Sequence, residues 1–220
     1  MLKLRQHLID TACRMAVSGL NQGTAGNLSV RSTQAGERGF LITPTGMAYE
    51  LLTPQDLVFV RLDGQYAGIG GNIRKPSSEW RFHRDLYVAR PEAEAVLHAH
   101  SPFATSLACL RREIPAFHYM IARFGGDTLR CSDYATFGSQ ELSDAALSAM
   151  QDRKACLLAN HGMLLFGPDL DQTLALGIEL EALCEQYWRA CQLGQPVLLE
   201  AHEMKIVLEK FSSYGQQDKA

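Results

Sequence analysis

Between Cys156 and Gly167 the chain reads Cys-Leu-Leu-Ala-Asn-His-Gly-Met-Leu-Leu-Phe-Gly, apolar at both ends and polar in the middle. Burying Asn160 and His161 unpartnered inside one continuous element would be costly, so the run reads as two buried strand segments around a polar interruption. Strands this apolar need cover on both faces. The rest of the chain supplies it. Leu4, Leu8, Thr11, Ala12 and Met15 recur at helical spacing before Gly19, which predicts an amphipathic helix over 2–18. Asn27 to Ser32 alternates like a half-buried strand, Phe40 to Thr43 is a short apolar run, and Leu57 to Leu62 ends at the turn pair Asp63-Gly64. After a glycine-rich loop over 68–76, a serine of the pair Ser77-Ser78 is expected to cap a helix carrying Trp80, His83, Leu86 and Tyr87 down to Pro91. A strand at 95–100 and helices at about 102–110, 139–151, 169–193 and 200–212 follow, with a frayed tail over 216–220. This order predicts a single α/β domain over 1–215, a central sheet flanked by helices.

With 46% hydrophobic and 20% charged residues, the chain can bury a sizeable core. A net charge of -3 and the lack of a basic stripe argue against nucleic acid as a partner. Charges interrupt every apolar stretch well before the length of a membrane span, and no leader is evident, so a cytoplasmic protein is expected. The six cysteines show no Cys-x-x-Cys spacing and are read as buried thiols, with Cys184 and Cys191 sharing one helix face.

Chemistry concentrates in two groups of residues. His98-Ala-His100 closes an apolar stretch, and residues two apart on a strand share a face, so both imidazoles can reach one ion or simply be satisfied by hydrogen bonds. Glu79 stands at an expected helix start, where it either balances the dipole or serves as a ligand. His161 interrupts an apolar segment and is either a hydrogen-bonded core histidine or a further ligand. Together the four side chains make a zinc-type donor set drawn from three separate elements. The second group is polar and glycine-rich: Gln22 to Asn27, Thr43-Pro-Thr-Gly46, and Ser77-Ser78. Hydroxyls, an amide and backbone N–H groups of this kind can surround phosphate oxygens, although none of the three segments is a nucleotide phosphate loop and each alone suits an ordinary turn.

The chain resembles the class II aldolase/adducin family, and within it most of all the fuculose-phosphate branch. The matching segments are Gly19-Leu-Asn-Gln-Gly-Thr-Ala-Gly-Asn27, Ile42-Thr-Pro-Thr-Gly46, Pro76-Ser-Ser-Glu-Trp-Arg-Phe-His83, His98-x-His100, Ile114-Pro-Ala-x-His-Tyr-Met-Ile-Ala122, Tyr134-Ala-Thr-Phe-Gly138 and Val207-Leu-Glu-Lys-Phe-x-x-Tyr-Gly215. They are colinear and span nearly the whole sequence. The resemblance implies a predominantly antiparallel sheet and a cytoplasmic homotetramer with sites at subunit interfaces. It implies one zinc ion per subunit, held permanently by His98, His100 and His161, with Glu79 a fourth ligand that leaves when substrate arrives. Asn27, Thr45, Gly46, Ser77 and Ser78 match the family's phosphate pocket. Tyr119 matches a tyrosine reaching into a neighbouring subunit's site, and Tyr214 one on the C-terminal segment.

The implied reaction is cleavage of a ketose 1-phosphate, such as L-fuculose 1-phosphate, between C3 and C4 to dihydroxyacetone phosphate and a short aldehyde. Zinc would stabilise the charge left on the C2 oxygen, Glu79 would move protons at C3, and Tyr119 would exchange the C4 hydroxyl proton. A ribulose-phosphate 4-epimerase, a sugar-phosphate dehydratase or decarboxylase, and a non-catalytic adducin-like module are the alternatives. The epimerases usually carry aspartate where Glu79 stands. Arg123-Phe124, Asn160 and the length of the 68–75 loop depart from the fuculose-phosphate pattern and bear on which sugar fits. His83 and His118 are placed outside the metal shell, His83 as a packing or capping residue, and His7 and His202 on the surface.

Overall fold

The computed structural model describes residues 2–67 and 74–213. Its sheet has the strand order β4-β3-β2-β1-β5-β8-β7-β6. The strands are β1 (Asn27–Gln34), β2 (Glu37–Ile42), β3 (Val58–Arg61), β4 (Tyr66–Ala67), β5 (Ala95–Ala99), β6 (Cys131–Ser132), β7 (Ala155–Leu158) and β8 (Gly162–Gly167). Every pairing is antiparallel except β6 with β7. The segment from 156 to 167 forms β7 and β8, paired from Ala155↔Leu165 to Leu158↔Gly162. Between them Asn160 takes a left-handed conformation (φ +54°), which asparagine tolerates and a three-residue hairpin loop uses.

Helices α1 (Leu2–Val17), α2 (Trp80–Ala89), α3 (Pro102–Ala108), α4 (Gln140–Ala149), α5 (Leu170–Leu193) and α6 (Ala201–Ser213) complete the fold. Alternation along the strands divides the core in two. Leu28, Leu41, Leu97, Leu157 and Leu165 face a cluster that includes Leu8 and Met15 of α1 and Leu174 and Leu180 of α5. Phe40, Ile42, Val96, Leu164 and Phe166 face Phe82 and Leu86 of α2 and Leu142 and Ala146 of α4. Each fully buried leucine or phenylalanine contributes about 1.5–3 kcal/mol, so helices cover both faces because both are apolar. No helix among the described residues is long and apolar enough to cross a membrane.

Side chains close several of the helices. Asp169 accepts the Gln172 N–H at 2.7 Å to start α5, and Ser139 accepts the Leu142 N–H at 3.1 Å to start α4. The expected serine cap on α2 is not formed. Glu79 itself occupies the cap position without a capping bond, while Ser77 Oγ accepts the Glu79 N–H at 3.3 Å. The cysteines also depart from expectation: Cys156 and Cys184 are buried, but Cys109 and Cys191 are exposed, so the shared face of Cys184 and Cys191 is not a common core face. The two-residue strands β4 and β6 and the 3-10 turns at Tyr49–Leu51 and Tyr119–Phe124 are too short to leave a periodic signature. Residues 68–73 of the glycine-rich loop, Tyr214 and the expected 216–220 tail lie outside the described residues.

Candidate metal centre

Sheet register brings the four expected ligands together. β1 lies between β2 and β5 with Asn27 opposite His98, and β5 pairs with β8 so that His98 sits opposite Leu164. His100 follows at the end of β5, His161 stands in the β7–β8 turn, and Glu79 begins α2 over the same end of the sheet. One ligand atom from each of Glu79, His98, His100 and His161 lies within 4.8 Å of all the others. Gly162 permits this approach, because a Cβ there would sit 2.4 Å from the Ala99 carbonyl oxygen. The start of α3, just beyond His100, is anchored by Glu181 of α5. Its carboxylate accepts Ser101 Oγ–H at 2.6 Å and the N–H groups of Phe103 and Ala104 at 2.7 and 2.9 Å.

Protonation in the cluster follows from the partners. His98 Nδ1 is 2.9 Å from the Met163 carbonyl, which can only accept, so Nδ1 carries a proton and Nε2 is the nitrogen turned to the cluster. That nitrogen faces His100 Nε2 at 2.9 Å and Glu79 Oε2 at 3.2 Å. Glu79 Oε1 is buried without a hydrogen-bond partner, 3.2 Å from His161 Nε2. Burial works to raise the Glu79 pKa, but the imidazoles of His98 and His161 outweigh it and hold the carboxyl below the usual range. Burial first, then His98 and His161, push the His100 imidazole down to about 4. A charged carboxylate among imidazole lone pairs, with one carboxylate oxygen left unsatisfied by protein, is a donor set that fits a divalent cation.

A cavity of about 320 Å³ opens on this cluster. Glu79, His100 and His161 line it, whereas His98 is fully buried behind them. Asn27, Thr45, Gly46, Ser77 and Ser78 line the same cavity, so all five residues expected at the phosphate share a space with the metal ligands. Of the described residues expected to be catalytic, Glu79 and Tyr119, Glu79 lines the cavity. Tyr119 is half exposed, stacks on Phe211 with ring centroids 6.4 Å apart, and does not line the cavity of its own chain. Arg123 lies beside it in a separate groove, 3.5 Å from Glu179.

Tyr134, Phe137 and Asn160 also line the cavity, and the first two are exposed aromatics. Tyr134 and Phe137 belong to the Tyr134–Gly138 motif, which carries no expected role in the sequence. The available signal was Gly138, whose φ of +74° and approach to the Ser78 carbonyl dock the loop against the hydroxyl pocket. His83, expected to pack or cap, packs: it is fully buried, stacked on Phe40 and Phe82, and hydrogen-bonded to Asn27 and Ser29 rather than to a helix end.

Comparison with known proteins agrees with this geometry. The class II aldolase and adducin N-terminal domain family matches residues 6–188. The chain is 54% identical over 214 residues to a 5-methylthioribulose-1-phosphate/5-deoxyribulose-1-phosphate aldolase of Rhodospirillum rubrum, covering 97% of this chain and 93% of that one. It is 45% identical to the L-fuculose phosphate aldolase of Escherichia coli K12, covering 97% and 96%. A solved structure of an L-fuculose 1-phosphate aldolase superposes with a TM-score of 0.89 at 37% identity, covering 96% of this chain and 97% of that one. With a shared fold, a colinear sequence and the four-ligand cluster in place, the chain belongs to the class II aldolase and adducin N-terminal domain family.

Proposed function

We propose that this class II sugar-phosphate aldolase reversibly cleaves a ketose 1-phosphate to dihydroxyacetone phosphate and a short aldehyde. The observation that carries the reading is the single cavity shared by the Glu79, His98, His100, His161 cluster and the hydroxyl- and glycine-lined pocket. Glu79, His98, His100 and His161 would hold a divalent ion, zinc in this reading and one per subunit, which would supply Lewis acidity. Thr45, Gly46, Ser77 and Ser78, with Asn27 at the junction, hold the phosphate and so fix which end of the sugar meets the cluster. Glu79 moves the proton at C3, with its unsatisfied Oε1 directed among the ligands. Tyr119, exposed on its own chain, exchanges the C4 hydroxyl proton in a neighbouring subunit's site, and a cytoplasmic homotetramer belongs to the same reading.

L-Fuculose 1-phosphate is one substrate that this reading admits. A 5-deoxy or 5-methylthio pentulose 1-phosphate is favoured by Tyr134 and Phe137, which offer an apolar wall to a methyl or thioether end, and by the name of the Rhodospirillum relative. A panel of ketose 1-phosphates, assayed for released dihydroxyacetone phosphate with and without chelator, tests both levels. Release that stops with chelator and returns with zinc is expected. No release from any ketose 1-phosphate by metal-loaded protein would sink the proposal.

A further inference from the structure

Behind Glu79 runs a file of buried polar groups, of which the proposed reaction uses none beyond Asn27. Asn27 Nδ2 donates to Glu79 Oε2 at 3.1 Å, and Asn27 Oδ1 meets His83 Nε2. His83 Nδ1 lies 2.7 Å from Ser29 Oγ, which lies 2.8 Å from the Tyr87 hydroxyl. Asn27, Ser29, His83 and Tyr87 are each at most 2% exposed. Glu79, His83 and Tyr87 recur every four residues at the start and along one face of α2, while Asn27 and Ser29 alternate on one face of β1. About 6 Å of helix rise therefore matches about 6.8 Å of strand, which lets the two rows pair rung by rung.

The direction of every bond in the file follows from its end. A carboxylate only accepts, so the Asn27 amide must turn its nitrogen to Glu79 and its oxygen to His83. His83 Nε2 must then carry the proton, Nδ1 accepts from Ser29, and Ser29 accepts from Tyr87. Burial pushes the His83 imidazole down to about 3, so the ring is neutral and has one donor to place.

We propose, on the aldolase reading above, that His83 is a positioning residue: its Nε2–H fixes the Asn27 amide, and Asn27 in turn holds Oε2 of Glu79, leaving Oε1, beside His161, as the oxygen without a hydrogen-bond partner. Without that donor, the amide is free to turn its oxygen toward the carboxylate, which repels Glu79 and unsettles its proton transfer. Thr45, Gly46, Ser77 and Ser78 of the phosphate pocket make no bond to this file, so the effect falls on turnover more than on affinity.

Two measurements decide. Long-range proton–nitrogen correlation spectra of the unaltered protein are expected to show His83 as the Nε2–H tautomer, with or without metal. An Nδ1–H tautomer overturns the proposal whatever the kinetics show. In kinetics, His83→Phe is expected to lower kcat about 10–100-fold with KM within about twofold and metal content unchanged, as for other partners behind a metal ligand. His83→Gln, whose amide N–H reaches the Nε2 position, is expected to recover kcat to within about threefold of the parent. In an Asn27→Ala background, His83→Phe should add less than about twofold, because its effect passes through Asn27. Parental kcat in folded His83→Phe, equal impairment of the Phe and Gln variants, or full additivity with Asn27→Ala each overturns it. Absence of aldol cleavage by the unaltered protein would remove the function proposed above and leave the tautomer to decide this point.

Discussion

Leu97 and His98 are neighbours on β5, both fully buried, and they point to opposite faces of the sheet. Leu97 enters an apolar cluster between the sheet and α1, α3 and α5. His98 enters the α2 face, where at one end of the sheet the apolar packing gives way to Glu79, Asn27, His83, Ser29 and Tyr87. Apolar packing is non-directional and tolerates exchange, whereas each buried polar atom needs a partner placed to within a few tenths of an ångström. One face is therefore apolar packing beside these strands, and the other joins an apolar cluster to a buried polar donor set at one end. The anchoring of α3 by Glu181 shows how the first face also steadies the site just beyond His100.

The sharpest way to break this division is to truncate each neighbour in turn. His98→Ala should lose the bound ion and at least about 10⁴-fold in kcat/KM, since Lewis acidity and the proton transfer by Glu79 fail together. Metal analysis beside the assay checks it, and a variant that keeps both ion and activity would place the chemistry elsewhere. Glu79→Gln preserves shape and should keep the ion through the three histidines while losing about 10²–10³-fold in kcat. Near-parental turnover with metal bound would free Glu79 of its acid–base role. Leu97→Ala should do the reverse: a loss of about 2–5 kcal/mol in denaturant unfolding, with kcat of the folded protein unchanged. A large fall in kcat there would show that the two faces are not separable.

A smaller effect distinguishes the faces through pH. His83 is pushed down to about 3 in the folded protein, while an unfolded histidine titrates near about 6.5. Between those values the unfolded chain holds the extra proton, so stability is lost as pH falls through that window, by about 1.4 kcal/mol per pH unit at most from this residue. Unfolding of metal-free protein at pH 7, 6 and 5 should show the slope, and His83→Gln should reduce it. An unchanged slope in the variant would assign the loss to other groups, His100 first among them because it is also pushed down, to about 4.

Much of this was legible in the residues. The polar break at Asn160 and His161 predicted the β7–β8 hairpin, and the same break supplied a member of the candidate ligand cluster. Period-3.6 and period-2 patterning placed the long elements, because burial on one side writes itself into sequence. What failed to show were interactions between rows. The pairing of Glu79, His83 and Tyr87 with Asn27 and Ser29 needs two patterns of different period laid over each other, so the packing of His83 is legible but its bonds to Asn27 and Ser29 are not. The Ser77-Ser78 cap was a local reading that the cavity overrode, with both serines lining it instead. Tyr134 and Phe137 lie in a loop without periodicity, and only its docking on Ser78 brings them to the site.

By itself the sequence determined the α/β class, the four residues of the candidate ligand cluster and the polar segments that share their cavity, because side-chain chemistry and periodicity are local properties. Tertiary structure alone decided which ligand oxygen is left unsatisfied, that Tyr119 stands outside its own chain's cavity, and that a buried histidine stands behind Asn27. Those depend on strand register and on the distance between α2 and β1, which are set by how the whole core packs.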